Sequence, residues 1–204
     1  MICETCKTEK KELLVLTENS RNDRLWLCPK CEQLVISKIK TNNATVLDRC
    51  LKAQKVPPRY HNAKLEKKYC AFEGFDKVHK GQSGLYLCGE SGVGKSWLMI
   101  AWMKYFLAKG EKCGYIDWSD FMVDLRMDIK DYTNRRGALL QYNYLFIDDF
   151  DTSNQYMYDI VYNFVNALYN EGKIVFFTSV DLPAQSKIAM RISEMTQQLH
   201  IIRH

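Results

Sequence analysis

The segment Gly89-Glu90-Ser91-Gly92-Val93-Gly94-Lys95-Ser96 spaces its glycines, lysine and hydroxyl as G-x-x-x-x-G-K-[ST]. Glycines let backbone N–H groups close around phosphate oxygens where side chains would collide. A lysine at this spacing reaches β- and γ-phosphates, and the Ser96 hydroxyl reaches a Mg²⁺ ion. The chemistry this predicts is binding of a nucleoside triphosphate, ATP by default, with Gly89, Glu90, Ser91, Gly92, Val93, Gly94, Lys95 and Ser96 as the cradle. A chance glycine loop would lack the flanks seen here, an apolar strand before it and helical spacing from about Lys95 onward.

A second segment supplies carboxylates. Tyr144-Leu145-Phe146-Ile147-Asp148-Asp149 is an apolar run ending in two acids, the form of a Walker B motif. At the carboxyl end of a buried strand such acids face a ligand. Asp148 would hold Mg²⁺, directly or through water, and Asp149 would polarise an attacking water. A strand simply ending at the surface is the alternative, and the independent glycine loop weighs against it. Thr178-Ser179 follows a further apolar run, Ile174 to Phe177. A hydroxyl there would contact the γ-phosphate or the attacking water, or would cap a helix.

The third constellation is Cys3-x-x-Cys6 and Cys28-x-x-Cys31, with 21 residues between the pairs. Each CxxC points two thiolates at one place, and four together suit tetrahedral Zn²⁺. Four thiolates leave no open position, so Cys3, Cys6, Cys28 and Cys31 predict a structural metal. It would hold together a module of about 30 residues too small for a core of its own. A disulfide or redox pair is the rival. Cys50, Cys70, Cys88 and Cys113 stand singly and read as reduced thiols.

These groups need elements to position them. Between the cysteine pairs, an apolar run, a polar turn and Leu25-Trp26-Leu27 predict a β-hairpin. Residues 32–55 carry helical apolar spacing among lysines, and Val56-Pro57-Pro58 cannot continue a helix. Residues 61–80 read as partly helical. From Gly84 onward, strands at 85–88, 113–116, 144–147 and 174–177 alternate with helices at 95–109, 119–130, 155–170 and 184–198. Such alternation predicts an α/β fold around a mostly parallel sheet flanked by helices. The domain reading is a zinc module at 1–31, a helical connector at 32–58 and an ATPase domain at 59–204.

Composition narrows the partners. Residues 1–80 hold 17 Lys and Arg against 10 Asp and Glu, a balance of +7, whereas 81–204 hold 12 against 14, a balance of −2. The basic part suggests a polyanionic partner or a solvated surface. No apolar run is long enough to cross a membrane, and the N-terminal residues do not read as a secretory signal, so a cytoplasmic protein is expected.

Over residues 56–202 the ordered set resembles the AAA+ ATPases of the DnaC/DnaI helicase-loader group, relatives of the IstB transposition helper. The set is Val56-Pro57-Pro58-Arg59-Tyr60, Gly84-Leu85-Tyr86-Leu87-Cys88-Gly89 leading into the P-loop, Asp148-Asp149, Phe177-Thr178-Ser179 as sensor 1, and Arg191. The resemblance implies an AAA+ P-loop core with an N-terminal four-cysteine, zinc-ribbon-like module. Its implied activity is ATP hydrolysis coupled to loading a replicative hexameric helicase onto single-stranded DNA. Active sites would lie between subunits of a homo-oligomer or mixed assembly, and Arg191 would act in trans as an arginine finger. The catalytic set would be Lys95, Asp149, Thr178, Ser179 and Arg191.

Single-stranded DNA would meet Arg126, Lys130, Arg135 and Arg136, with Tyr132 available to stack on a base; a solvated charged helix is the alternative there. Val180 stands where the group carries Asn after Thr-Ser, which implies slow turnover. An ATPase partner of a transposase is one other client, and an ATP-binding module that sequesters a host loader or helicase is another reading.

Overall fold

The computed structural model describes residues 14–18, 24–27, 46–66, 72–152, 155–181 and 187–202. The chain divides into two compact units, Met1–Arg49 and Cys50–His204. In the first, β1 (Leu14–Glu18) and β2 (Arg24–Leu27) pair antiparallel, with Leu14 opposite Leu27, Val15 opposite Trp26 and the register shifting between Val15 and Glu18. This is the hairpin expected from the sequence. Cys3, Cys6, Cys28 and Cys31 lie outside the described residues, as does Cys70.

A helix, α1, covers residues 46–53. It stops before the Pro57-Pro58 pair as the sequence requires. Lys55 turns left-handed at φ 58°, and the Val56 N–H donates back to Leu51 O at 3.0 Å. This is a Schellman closure with lysine at the position glycine usually takes. Leu51 and Val56, the apolar pair flanking the closure, are both buried in the core of the second unit.

That core is built on five strands: β3 (Gly84–Cys88), β4 (Cys113–Asp117), β5 (Tyr144–Asp148), β6 (Ile174–Ser179) and β7 (Thr196–His200). Their order is β4-β5-β6-β3-β7, and every ladder is parallel. The helices are α2 (Phe75–His79), α3 (Lys95–Ala108), α4 (Trp118–Met127), α5 (Tyr132–Leu139), α6 (Tyr158–Asn170) and α7 (Lys187–Met195).

Alternate residues of each strand feed opposite faces of the sheet. Leu145, Ile147, Val175 and Phe177 join α4, α6 and α7 in one cluster. Tyr144, Phe146, Phe176 and Leu85 join α3, Leu51 and Val56 in the other. Both faces are covered, which is why these strands read as unbroken apolar runs. At Gly84 the neighbouring strand passes so close that a Cβ would collide with the Val175 carbonyl.

Two expectations are corrected. The helix expected over 184–198 ends at Met195, and Thr196–His200 forms a fifth strand beside β3, with Leu199 opposite Leu87. Its polar sequence hid it, because an edge strand needs to bury only part of its surface. The helix expected over 119–130 ends at Met127; a single 3₁₀ turn (Ile129–Asp131) and then α5 follow. None of α5's residues is fully buried, so it carries little apolar spacing to be read. Among the described residues no helix is long and apolar enough to cross a membrane.

Candidate functional site

The glycine loop occupies the turn from β3 into α3. Gly92 and Gly94 take φ values of 82° and 99°, a left-handed backbone that suits glycine, and a Cβ at either would meet nothing within 4 Å. The loop is therefore open on its outer side, and Gly92 and Gly94 answer to backbone shape, whereas at Gly89 a Cβ would collide with the Ile201 carbonyl. Its root is fixed: Gly89 N–H donates to Val180 O at 3.1 Å, and Ile201 N–H donates to Cys88 O at 2.8 Å. Lys95 opens α3 yet is only 6% exposed. Its Nζ donates to Gly89 O at 2.8 Å and Glu90 O at 2.9 Å, so the ammonium is held inside the curl of the loop.

The carboxylates come from the end of β5. Asp148 is 5% exposed, and both of its oxygens accept hydrogen bonds: Oδ1 from Thr178 Oγ1 at 2.6 Å and Oδ2 from the Tyr115 hydroxyl at 3.2 Å. Asp149 follows with φ 54°, a left-handed turn that sets its side chain in the open cleft beside the loop. Its N–H donates to Thr178 Oγ1 at 2.8 Å, and Phe150 N–H donates to Thr178 O at 2.7 Å. Partial burial, and then the charge of Asp148, raise the Asp149 carboxyl above its ordinary range; Lys95 and Arg59 oppose the rise.

A cleft of about 300 Å³ lies over the loop. It brings together Ser91, Gly92, Gly94, Lys95, Ser96 and Asp149 from the expected set, and adds Arg59, Tyr60 and Trp97. Asp148 and Thr178 sit beneath, linked to the cleft through Asp149. The Tyr86 phenol beside β6 donates to Asp181 O at 3.0 Å, and burial pushes it up to about 12, with Ser179 opposing the rise. Tyr115, which the sequence reading did not single out, comes from β4; burial first, and Asp148 next, raise its hydroxyl pKa.

The residues fit a Mg-nucleotide. An open glycine cradle, a pre-placed ammonium, the Ser96 hydroxyl and one buried carboxylate match a cation shared with phosphates and water. Such a site needs no protein cage, and among the described residues no group of three or more His, Cys, Asp or Glu could form one.

Residues 71–200 match the bacterial DnaA ATPase domain. The chain belongs to that family. No curated protein matches it. Among solved structures, the DnaC helicase loader aligns at 22% identity over 71% of this chain and 99% of its own, with a TM-score of 0.57. DnaI aligns at 18% over 73% and 93%, with a TM-score of 0.60. The replication initiator DnaA, bound to AMPPCP and single-stranded DNA, aligns at 18% over 73% of this chain and 51% of its own, with a TM-score of 0.57. The fold is thus the AAA+ fold of loaders and initiators, and this member of the DnaA ATPase-domain family spans about half the length of that DnaA.

The remaining expected residues lie elsewhere in this AAA+ core. Arg191, on α7, is not part of the cleft. Its Nε donates to Asn166 Oδ1 at 3.2 Å, Nη1 donates to Glu194 at 2.9 Å, and the guanidinium covers the Tyr169 ring at 4.3 Å. Arg126 and Lys130 are exposed. Arg135 is paired with Asp124 at 2.8 Å and Asp131 at 3.0 Å, and Arg136 lies over the Tyr132 ring at 5.6 Å. Tyr132 itself packs against the core and donates to Ile160 O at 3.3 Å. Its ring serves the fold rather than standing out for a base.

Proposed function

We propose that the chain is an ATP-dependent loader of a replicative DNA helicase onto single-stranded DNA. The observation that carries this reading is the joining of Lys95, Ser96 and Asp149 in one cleft above the buried Asp148–Thr178 pair. The AAA+ fold shared with DnaC and DnaI supports the choice of client.

Bound ATP with Mg²⁺ would supply the γ-phosphoryl group and the cation that neutralises it. Lys95 would exchange its loop carbonyls for phosphate oxygens. Ser96 and Asp148 would hold the cation, with the Asp148 carboxylate held in place by its hydrogen bonds to Thr178 and Tyr115. Asp149 would orient and polarise the attacking water, with Thr178 fixing its backbone. Arg191 would reach a neighbouring subunit's phosphate, giving an oligomer with shared sites, and would have to leave Glu194 and Asn166 to do so.

The exposed Arg126 and Lys130 would contact the DNA backbone, joined by Arg135 and Arg136 once released from their partners. One structural Zn²⁺ on Cys3, Cys6, Cys28 and Cys31 would hold the first unit. The two CxxC pairs flank the β1–β2 ladder in sequence. The corresponding domain reading would be a zinc module at 1–31, a connector at 32–58 and an ATPase domain at 59–204, with Leu51 and Val56 of the connector buried in the core of the second unit.

The test is transfer of a purified replicative helicase onto circular single-stranded DNA, with this chain and either ATP or ADP. ATP-dependent loading is expected. No association with helicase in either nucleotide would overturn the reading.

A further inference from the structure

The cleft holds a cation that neither the glycine loop nor the strand ends supply. Arg59 belongs to the 3₁₀ turn Pro58–Tyr60, ahead of the sheet in sequence, yet it lines the cleft with Lys95, Ser96 and Asp149. Its guanidinium lies over the ring of its neighbour Tyr60, 4.6 Å from the centroid. Arg135 and Arg191 each have a carboxylate partner within 3.0 Å. Among the described residues Arg59 has none.

The turn that carries it is firmly placed. Tyr60 N–H donates to Pro57 O at 3.0 Å, His61 N–H to Pro58 O at 3.1 Å and Ala63 N–H to Tyr60 O at 2.9 Å. Val56 and Ala63 bury on either side of it. Lys104 of α3 donates to His61 O at 2.6 Å, so the turn is tied to the helix that the glycine loop opens. Arg59 thus has a fixed origin, and its guanidinium end has, among the described residues, no carboxylate within salt-bridge distance, although its charge acts on Asp149 in the same cleft. An aromatic face supports that end without neutralising it, and cation–π support leaves the guanidinium's in-plane N–H groups available to an acceptor. The acceptor that fits is an oxyanion, and the cleft is already built for phosphate.

We propose that Arg59 is a ligand in cis for the terminal phosphate of the bound nucleoside triphosphate, and that it makes this chain prefer triphosphate over diphosphate. The inference rests on the ATP-binding reading above. Lys95 and the glycine cradle serve nucleotide of either length. Arg59 lines the same cleft as Ser96 and Asp149, and its charge acts on the Asp149 carboxyl, at the site where cation and reacting phosphate belong. Tyr60 is a positioning residue that keeps the guanidinium aimed there. Arg59 differs from Arg191 in acting within its own subunit, so its effect needs no assembly.

The experiment is calorimetric titration of the full chain with AMPPCP and with ADP, both with Mg²⁺. Arg59→Ala should weaken AMPPCP by about tenfold or more while ADP changes by less than about twofold, a difference of about 1.4 kcal/mol. Arg59→Lys should restore part of the loss, because it returns the charge without the fork. The retained ADP affinity is itself the control for folding. Equal loss for both nucleotides, or no loss for either, overturns the proposal. Lys95→Ala separates the two failures. If it leaves AMPPCP binding intact, the nucleotide site itself is misassigned. If it abolishes binding while Arg59→Ala leaves the AMPPCP-to-ADP ratio unchanged, Arg59 alone is wrong.

Discussion

Thr178 donates its hydroxyl proton to Asp148 Oδ1 at 2.6 Å, and the Thr178 hydroxyl oxygen in turn accepts the N–H of Asp149 at 2.8 Å. One completely buried hydroxyl on β6 therefore fixes both acids at the end of β5. It orients the carboxylate of the first and holds the backbone of the second in its left-handed turn. The sequence left Thr178 open between a nucleotide contact and a helix cap. Its hydrogen bonds tie it to both acids.

Thr178→Val keeps the shape and removes the hydroxyl. Asp148 loses one acceptor contact and Asp149 N–H loses its partner, which should cost about 1–3 kcal/mol of stability. Urea denaturation followed by tryptophan fluorescence reads this directly. Turnover should fall by about tenfold or more while AMPPCP affinity changes much less, since the cradle is untouched. A variant with normal turnover would mean that the Thr178 bridge has no part in the reaction.

Lys95→Ala strips the cradle of its charge and leaves the carbonyls of Gly89 and Glu90 without their donor. Loss of a charge-assisted contact of this kind costs about 2–5 kcal/mol, so ATP affinity should drop at least about thirtyfold. Equilibrium titration checks it, and unchanged affinity would remove the glycine loop from the site.

Asp149 yields a prediction with a definite sign in pH. Partial burial and the charge of Asp148 raise its folded pKa above the unfolded value. The group must be ionised to polarise water, so kcat/KM should climb with pH along a limb lying above the ordinary carboxylate range. Stability runs the other way: a raised carboxyl binds its proton more tightly when folded, so its contribution fades as pH rises from the unfolded to the folded pKa. Asp149→Asn should therefore stabilise the chain at neutral pH and also suit the positive φ. The same change should cut turnover about 10²–10⁴-fold. A destabilised yet active Asp149→Asn would contradict both parts.

What could be read from sequence divides along a physical line. The glycine loop and the acids are local signals, and β3 to β6 are buried on both faces, so their apolar runs stand out. β7 escaped because Thr196-Gln197-Gln198-Leu199-His200 lies at the edge of the sheet, with Gln198 and His200 turned outward and few apolar residues to mark it. The contact of Tyr115 with Asp148 and the entry of Arg59 into the cleft depend on how distant segments pack. Neither pairing leaves a mark at fixed spacing.

Metal removal tests the first unit separately. If Cys3, Cys6, Cys28 and Cys31 hold one structural zinc, a strong chelator should release about one equivalent per chain. The β1–β2 hairpin should lose amide protection, and the second unit, which carries its own core, should retain AMPPCP affinity. Hydrogen exchange with parallel metal analysis measures both. A first unit that keeps its protection without metal would rule out the zinc site.

Arg191 poses the question of where a site is completed. Within the chain its contacts are a half-exposed pair with Glu194, a bond to Asn166 and the Tyr169 ring. Arg191→Ala should therefore cost little stability. If its guanidinium acts across a subunit boundary, turnover should fall steeply with nucleotide affinity nearly unchanged. Mixing then decides the matter. Lys95→Ala subunits cannot hold nucleotide but keep Arg191, whereas Arg191→Ala subunits bind nucleotide but lack the cation. Each alone should be nearly inactive, and the mixture should recover activity at interfaces that join an intact cradle to an intact Arg191. A mixture no more active than its parts would confine Arg191 to its own α7 and remove it from the catalytic set.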